Sequence, residues 1–248
     1  MKTLLFHYSK LLSFIFAIAL LASCSSCNKD CFAVKGKGDL VSKTYSTNSF
    51  TSIHSAVEAH VFLTQGPVQS IEIKGQQNIL DILDVKVDDG ELLIGFENHC
   101  GSINYDQLQV YITVPTIQAV RISGSGVFDA TNTLNVESLN FHISGSARMS
   151  ATVNATSKIE GNISGSGELY LAGTCPTEKF TISGSGSIFA YGLQSSQSTI
   201  NVSGSGDAEI SVSDHLDVTI SGSGNVHYKG QPTINTSISG SGKLHHEN

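Results

Sequence analysis

Apolar and polar residues alternate with a period of two through the second half of the chain, and the same tetrapeptide interrupts them at near-regular intervals. Ser-Gly-Ser-Gly begins at Ser123, Ser164, Ser183, Ser203, Ser221 and Ser239, and a near copy, Ser-Gly-Ser-Ala, begins at Ser144. The successive spacings are 21, 20, 19, 20, 18 and 18 residues. Immediately before each copy stands Ile122, Ile143, Ile163, Ile182, Val202, Ile220 or Ile238. Six residues after that position stands Phe128, Met149, Leu169, Ile188, Ala208, Val226 or Leu244, apolar in every copy. Two residues before it come Val120, Phe141, Gly161, Phe180, Ile200, Val218 and Thr236. Between these last two sets lies a polar column: Arg121, His142, Asn162, Thr181, Asn201, Thr219 and Ser237. Period-two alternation on both sides of a glycine-rich turn predicts strand, tight turn and strand in each repeat. A period near 20 residues predicts a solenoid whose coils bury their apolar faces only by stacking on one another. The fold class is therefore all-β, a flattened coil with two facing sheets.

The glycines read as turn positions: Gly124 and Gly126, Gly145, Gly165 and Gly167, Gly184 and Gly186, Gly204 and Gly206, Gly222 and Gly224, Gly240 and Gly242. Glycine tolerates positive φ, and coils stacked about 4.8 Å apart leave no room for a larger side chain at the corner. This repeat region spans residues 116–248. Residues 45–115 carry strand patterns without the repeat, at Val61–Leu63, Ile71–Ile73, Asp84–Val87, Glu91–Ile94 and Val110–Val114. Asp88-Asp89-Gly90 predicts a hairpin turn, and Asn78–Leu83 one short helical turn. This region is expected to stack on the repeat and cap its N-terminal end, because terminal units must cover an apolar edge.

The N-terminus has a different pattern. Lys2 and Lys10 flank a short basic segment, and Leu11–Leu21 is an apolar run too short to span a membrane. It ends in Leu21-Ala22-Ser23-Cys24, which resembles a bacterial lipobox. Residues 1–23 are read as a lipoprotein signal peptide, Cys24 as the lipidated residue and residues 24–44 as a flexible tether. The expected location is the bacterial envelope, as an outer-membrane lipoprotein facing the periplasm or the cell surface. Disulfides are permitted there; pairing among Cys27, Cys31, Cys100 and Cys175 stays open.

Composition narrows the function classes. Of 248 residues only 14% are charged, against about 25% in an average soluble domain, and the net charge is -7. That balance excludes a nucleic-acid partner, which needs a basic surface.

The residues then point to a family. Phe50–Ile53, Val61–Gly66, Val87–Leu92, Val110–Pro115, the recurring Ser-Gly-Ser-Gly and the closing Tyr228–Pro232 and Ser239–Leu244 resemble the putative autotransporter adhesin head GIN domain family. The likeness covers residues 45–245. It implies a two-sheet β-helix similar to pectin-lyase-like superhelices, with GSG at the turns, and a role in cell adhesion. Ala147 departs from the pattern, and a distorted turn is expected there.

The serine-rich motif is not a nucleophile elbow: it recurs seven times between strands and lacks a unique His or Asp partner. Its glycines do not cradle phosphate, since no Lys-Ser/Thr follows and no helix begins. No cofactor, metal or catalytic residue is assigned. The polar column from Arg121 to Ser237 is the candidate binding face, for a glycan or a surface protein. The reading is a non-catalytic adhesion or binding module, held at the membrane by its lipid. A carbohydrate-active enzyme on the same scaffold and an envelope scaffold without external ligand are the competing classes. A second copy is expected to associate through a solenoid end.

Overall fold

The computed structural model describes residues 33–96 and 101–248. The signal segment, Cys24, Cys27, Cys31, His99 and Cys100 lie outside the described residues. The chain divides into a unit of Met1–Ala33 with His99–Ser102 and a compact unit of Val34–Asn98 with Ile103–Asn248; the architecture below is that of the latter.

The repeat region is a β-solenoid. Strand β10 (Ala119–Gly124) ends at the first glycine corner, and the coil from there to the next corner is split into β11 (Val127–Ala130) and β12 (Leu134–Gly145). After it, each coil is one long strand between glycine corners: β13 (Arg148–Gly165), β14 (Glu168–Gly184), β15 (Ser187–Gly204) and β16 (Asp207–Gly222). The coils pair in parallel, each on the next. The glycine edge keeps perfect register, with Gly124 opposite Gly145, then Gly165, Gly184, Gly204, Gly222 and Gly240. Every register shift falls elsewhere, on the stretch opposite that edge, for example between Asn154 and Lys158 or Ala190 and Gln194. Coils of 18 to 21 residues thus stack without disturbing the corner, because β-bulges absorb the surplus.

The two glycines of each turn do different work. The first has φ between +105° and +135° throughout the array. The second lacks positive φ but sits against the preceding coil: a Cβ on Gly186 would lie 2.5 Å from an Ile163 methyl and 2.7 Å from the Gly167 carbonyl. Ala147 does not distort its turn, contrary to the expectation. Gly145 keeps φ +123°, and Ser146 and Arg148 donate to the carbonyls of Gly124 and Gly126 at 2.9 and 3.1 Å, the pattern of the other corners.

Inside, the leading aliphatics form one spine: Ile122, Ile143, Ile163, Ile182, Val202 and Ile220 are all buried. Phe141, Gly161 and Phe180 stack in one inward column, and a Cβ on Gly161 would lie 2.9 Å from the Phe180 ring. Glycine interrupts an otherwise apolar column because its large neighbours fill the space.

The N-terminal strands continue the coil inward from β10 and β11. Strands β3 (Ser52–Ser55) and β4 (His60–Gln65) pair in parallel with them, and β7 (Glu91–Phe96) and β9 (Gln109–Val114) form the next rung. Antiparallel strands then cover that rung: β6 (Leu83–Asp88) on β7, and β5 (Ser70–Gln76) on β9. The β6–β7 hairpin turns at Asp89 and Gly90, both with positive φ, as a two-residue primed turn requires. A short helix, α1 (Gln77–Leu80), follows β5.

Part of the predicted tether is a strand. β1 (Val34–Lys35) pairs with β8 (Ile103–Asn104), and β2 (Leu40–Tyr45) pairs antiparallel with β5. β2 is an edge strand with four consecutive exposed positions, so no alternation marks it in the sequence. At the other end, β17 (Asn225–Lys229) and β19 (Lys243–His246) pair with each other, and β18 (Thr233–Gly240) pairs with β16. Ile234 and Ile238 there are 39% and 43% exposed, whereas Leu216 and Ile220 beneath them are buried.

Candidate functional site

The polar column predicted from the sequence is a physical column. Arg121, His142, Asn162, Thr181, Asn201, Thr219 and Ser237 occupy one register position on successive coils. Strand alternation turns all seven outward, since their flanking residues form the inward spine. His54 of β3 extends the column beyond Arg121. On its glycine side runs a parallel row of serines, Ser123 to Ser239. The result is a flat, ordered array of hydroxyls and carboxamides.

Along this column, charge is confined to the end at Arg121. Arg121 reaches Glu91 at 3.6 Å, and His54 Nε2 is 3.0 Å from the Ser123 hydroxyl. Burial, followed by the nearby Arg121 guanidinium, holds the His142 imidazole below its ordinary value. Burial likewise lowers His54; Glu91 opposes that, while Arg121 and His142 add to it. Both imidazoles are thereby biased toward the neutral form.

The other face carries a column that the sequence reading missed. Tyr111, Phe62, Asp129, Ser150, Tyr170, Phe189, Glu209, His227 and His245 share one register position. Phe62 stacks on Tyr111 at 5.0 Å, Tyr170 on Phe189 at 4.6 Å and His227 on His245 at 4.8 Å. Arg148 sits over the Tyr170 ring at 5.3 Å and pairs with Glu168 at 2.8 Å. These rings stack along the solenoid axis, so their faces meet each other and reinforce the stacking of coils. Their signal was the outward position one residue beyond the second apolar site of each repeat.

At the corner opposite the glycine edge lies a groove of about 1060 Å³, lined by residues of the Thr116–Gln118 segment, β12, β13 and Thr174. Asn154 donates to the Asn135 carboxamide oxygen at 3.4 Å, and the Thr174 hydroxyl donates to that of Asn154 at 3.3 Å. Lys158 forms an ion pair with Glu160, which also accepts from Asn140 at 3.1 Å. Asn140 and Glu160 lie two residues from His142 and Asn162, so the groove opens onto the rim of the polar face.

Among the described residues, one carboxyl group sits in the core. Glu178 is fully buried in the inward column between Ile159 and Ser198, and neither of its carboxyl oxygens has a hydrogen-bond partner. Burial pushes this carboxyl up to about 8, against the smaller opposing influence of the Ser198 and Ser195 hydroxyls. Cys175 nearby is buried and free, its thiol pushed up to about 12 by burial and by Glu178. Among the described residues, no group of three or more His, Cys, Asp or Glu side chains converges on a common point, and no helix is long and apolar enough to cross a membrane.

Fold and faces together define a β-solenoid with ordered side-chain columns on the outside and a glycine-lined edge. The chain belongs to the family described as putative auto-transporter adhesin, head GIN domain, whose model matches residues 49–232. Its fold is that of a putative adhesin from Bacteroides fragilis NCTC 9343, with a TM-score of 0.80 at 23% identity over 86% of this chain and 100% of that one. A putative lipid binding protein from Parabacteroides distasonis ATCC 8503 aligns with a TM-score of 0.73 at 22% identity, over 88% of this chain and 100% of its own. A putative adhesin from the same strain aligns with a TM-score of 0.69 at 26% identity, over 87% and 100%. No curated protein sequence matches this chain significantly.

Proposed function

We propose that this protein is a lipid-anchored, non-catalytic binding module of the bacterial envelope that holds a partner against its flat polar face. The observation that carries the reading is the unbroken register column from Arg121 to Ser237, in which five successive coils, from Asn162 onward, present a neutral hydroxyl or carboxamide. Such groups both donate and accept hydrogen bonds. Repeated at one position on a rigid sheet, they offer a partner many weak contacts that add through geometry instead of one deep pocket. Membership of an adhesin family supports a binding role at the cell envelope. Anchoring through Cys24 follows from the lipobox-like Leu21–Cys24. A membrane through that lipid, and a glycan or surface protein through the face, are the partners this reading assigns.

The test is a glycan and matrix-protein array probed with the full chain, paired with surface proteolysis of intact cells. Capture on the array together with cleavage of the protein on intact cells is the expected result. Absence of capture together with full protection from protease would favour an envelope scaffold without external ligand.

A further inference from the structure

The coil that begins at Ser123 is the longest of the array, at 21 residues, and the next has 20. The surplus residue of this second coil over the third is placed at one spot. Val136 pairs with Ala155 and Ser138 with Lys158, so a single residue of β12 faces two of β13. On the other side of β13, Asn154 pairs with Thr174 and Lys158 with Thr177, so the three residues Ala155–Ser157 face two of β14. A bulge bends its strand and re-aims side chains, and here it opens the groove beside β12 and β13.

The chemistry of that groove is specific. Ile117 and Leu139 form its floor at 1% exposure each, and Ala155 is 7% exposed. Gln118, Asn135 and Asn154 form its exposed walls with groups that donate and accept. Among the described residues of its lining, the Lys158–Glu160 ion pair is internally compensated, and the exposed Glu137 adds a negative charge that disfavours an anionic ligand. The volume is that of a small-ligand site, on a scale of about 300–1,000 Å³, and a flat protein surface would not reach its floor.

We propose that this groove binds a neutral oligosaccharide, its hydroxyls hydrogen-bonded by Gln118, Asn135 and Asn154. The proposal rests on the binding-module reading and adds a ligand class and a second place of contact at the rim of the polar face.

The test uses the full-length chain in detergent on immobilised neutral oligosaccharides of glucose, galactose, mannose and xylose, with oligogalacturonate as the acidic probe. At least one neutral oligosaccharide is expected to be retained. Its affinity should fall about tenfold or more in Gln118→Ala and in Asn154→Ala, the loss of one well-placed hydrogen bond or two. Thr156→Arg, which fills the groove from an exposed position, should abolish retention, and the remote Ser213→Ala should leave it unchanged. Unfolding midpoints measured alongside identify a variant that lost its fold, and Thr156→Arg then serves in its place. Retention of oligogalacturonate alone, or neutral binding untouched by all three groove variants, overturns the proposal. Neutral binding lost only in Asn162→Ala and Asn201→Ala overturns the groove and leaves the binding module standing. So does a chain that captures matrix proteins but no saccharide, whereas a chain that captures nothing overturns both.

Discussion

The backbone N–H of Ser185 donates a 2.9 Å hydrogen bond to the carbonyl of Gly165 in the preceding coil, and a Cβ on Gly184 would lie 2.5 Å from that same oxygen. The corner therefore excludes a side chain twice, by contact and by its φ of +126°. Gly124 shares the positive φ, at +105°, but a Cβ there would meet nothing within 4 Å. Gly184→Ala should cost more than about 3 kcal/mol, combining strain with a displaced coil, and Gly124→Ala only about 1–2 kcal/mol of backbone strain. Denaturant unfolding of the two variants measures the difference; equal costs would mean that coil contact contributes nothing at the corner.

Glu178 sets a pH dependence opposite to that of an ordinary acid. Its carboxyl titrates near 8 when folded and near 4.5 when exposed. Between those values the unfolded chain releases a proton that the native chain keeps, so stability falls as pH rises through the window. Glu178→Leu matches its apolar neighbours Ile159 and Leu216 in the same column. The variant should melt several degrees above the native chain at pH 8, with a smaller gain at pH 5. Thermal unfolding at the two pH values decides it.

The histidines of the polar face act at the acid side. His54 and His142 are lowered from the ordinary 6.5, first by burial, with Arg121 adding to both. As pH falls below 6.5 the unfolded chain takes up protons that these imidazoles refuse, and the stability present above that pH declines until their own lower titration is reached. Arg121→Gln should raise the titration midpoint of His142, read by NMR. An unchanged midpoint would assign the shift to burial alone.

Gly161 is a packing position. Its would-be Cβ lies 2.7 Å from a Leu169 methyl as well as 2.9 Å from the Phe180 ring. Gly161→Leu should destabilise by about 1–3 kcal/mol or more, as overpacked cores do, and Gly161→Leu with Phe180→Ala should recover part of that loss. Equilibrium unfolding of the single and double variants measures the recovery.

These residues also show how far the sequence could be read. The spine, the glycine edge and the polar column repeat in every coil, so a phase error at one copy is corrected by the next. Of the groove residues, Gln118 precedes the first motif, and Asn135 and Asn154, partners in register on β12 and β13, stand in the stretch between motifs, whose length varies from coil to coil. Strand β2 was missed because an exposed edge strand carries no alternation. Glu178 stands in an inward column, yet a single acid among aliphatics signals nothing until the register shows it enclosed.

The central claim is that the flat face from Arg121 to Ser237 holds the partner. The most direct measurement is attachment, under flow, of beads carrying the full chain to surfaces coated with the glycans or matrix proteins it captures. Replacing Thr181 and Asn201 together by Arg puts two large cations in the middle of the column while leaving the spine intact. Attachment should be lost with the unfolding midpoint unchanged; undiminished attachment of a folded variant would contradict the account.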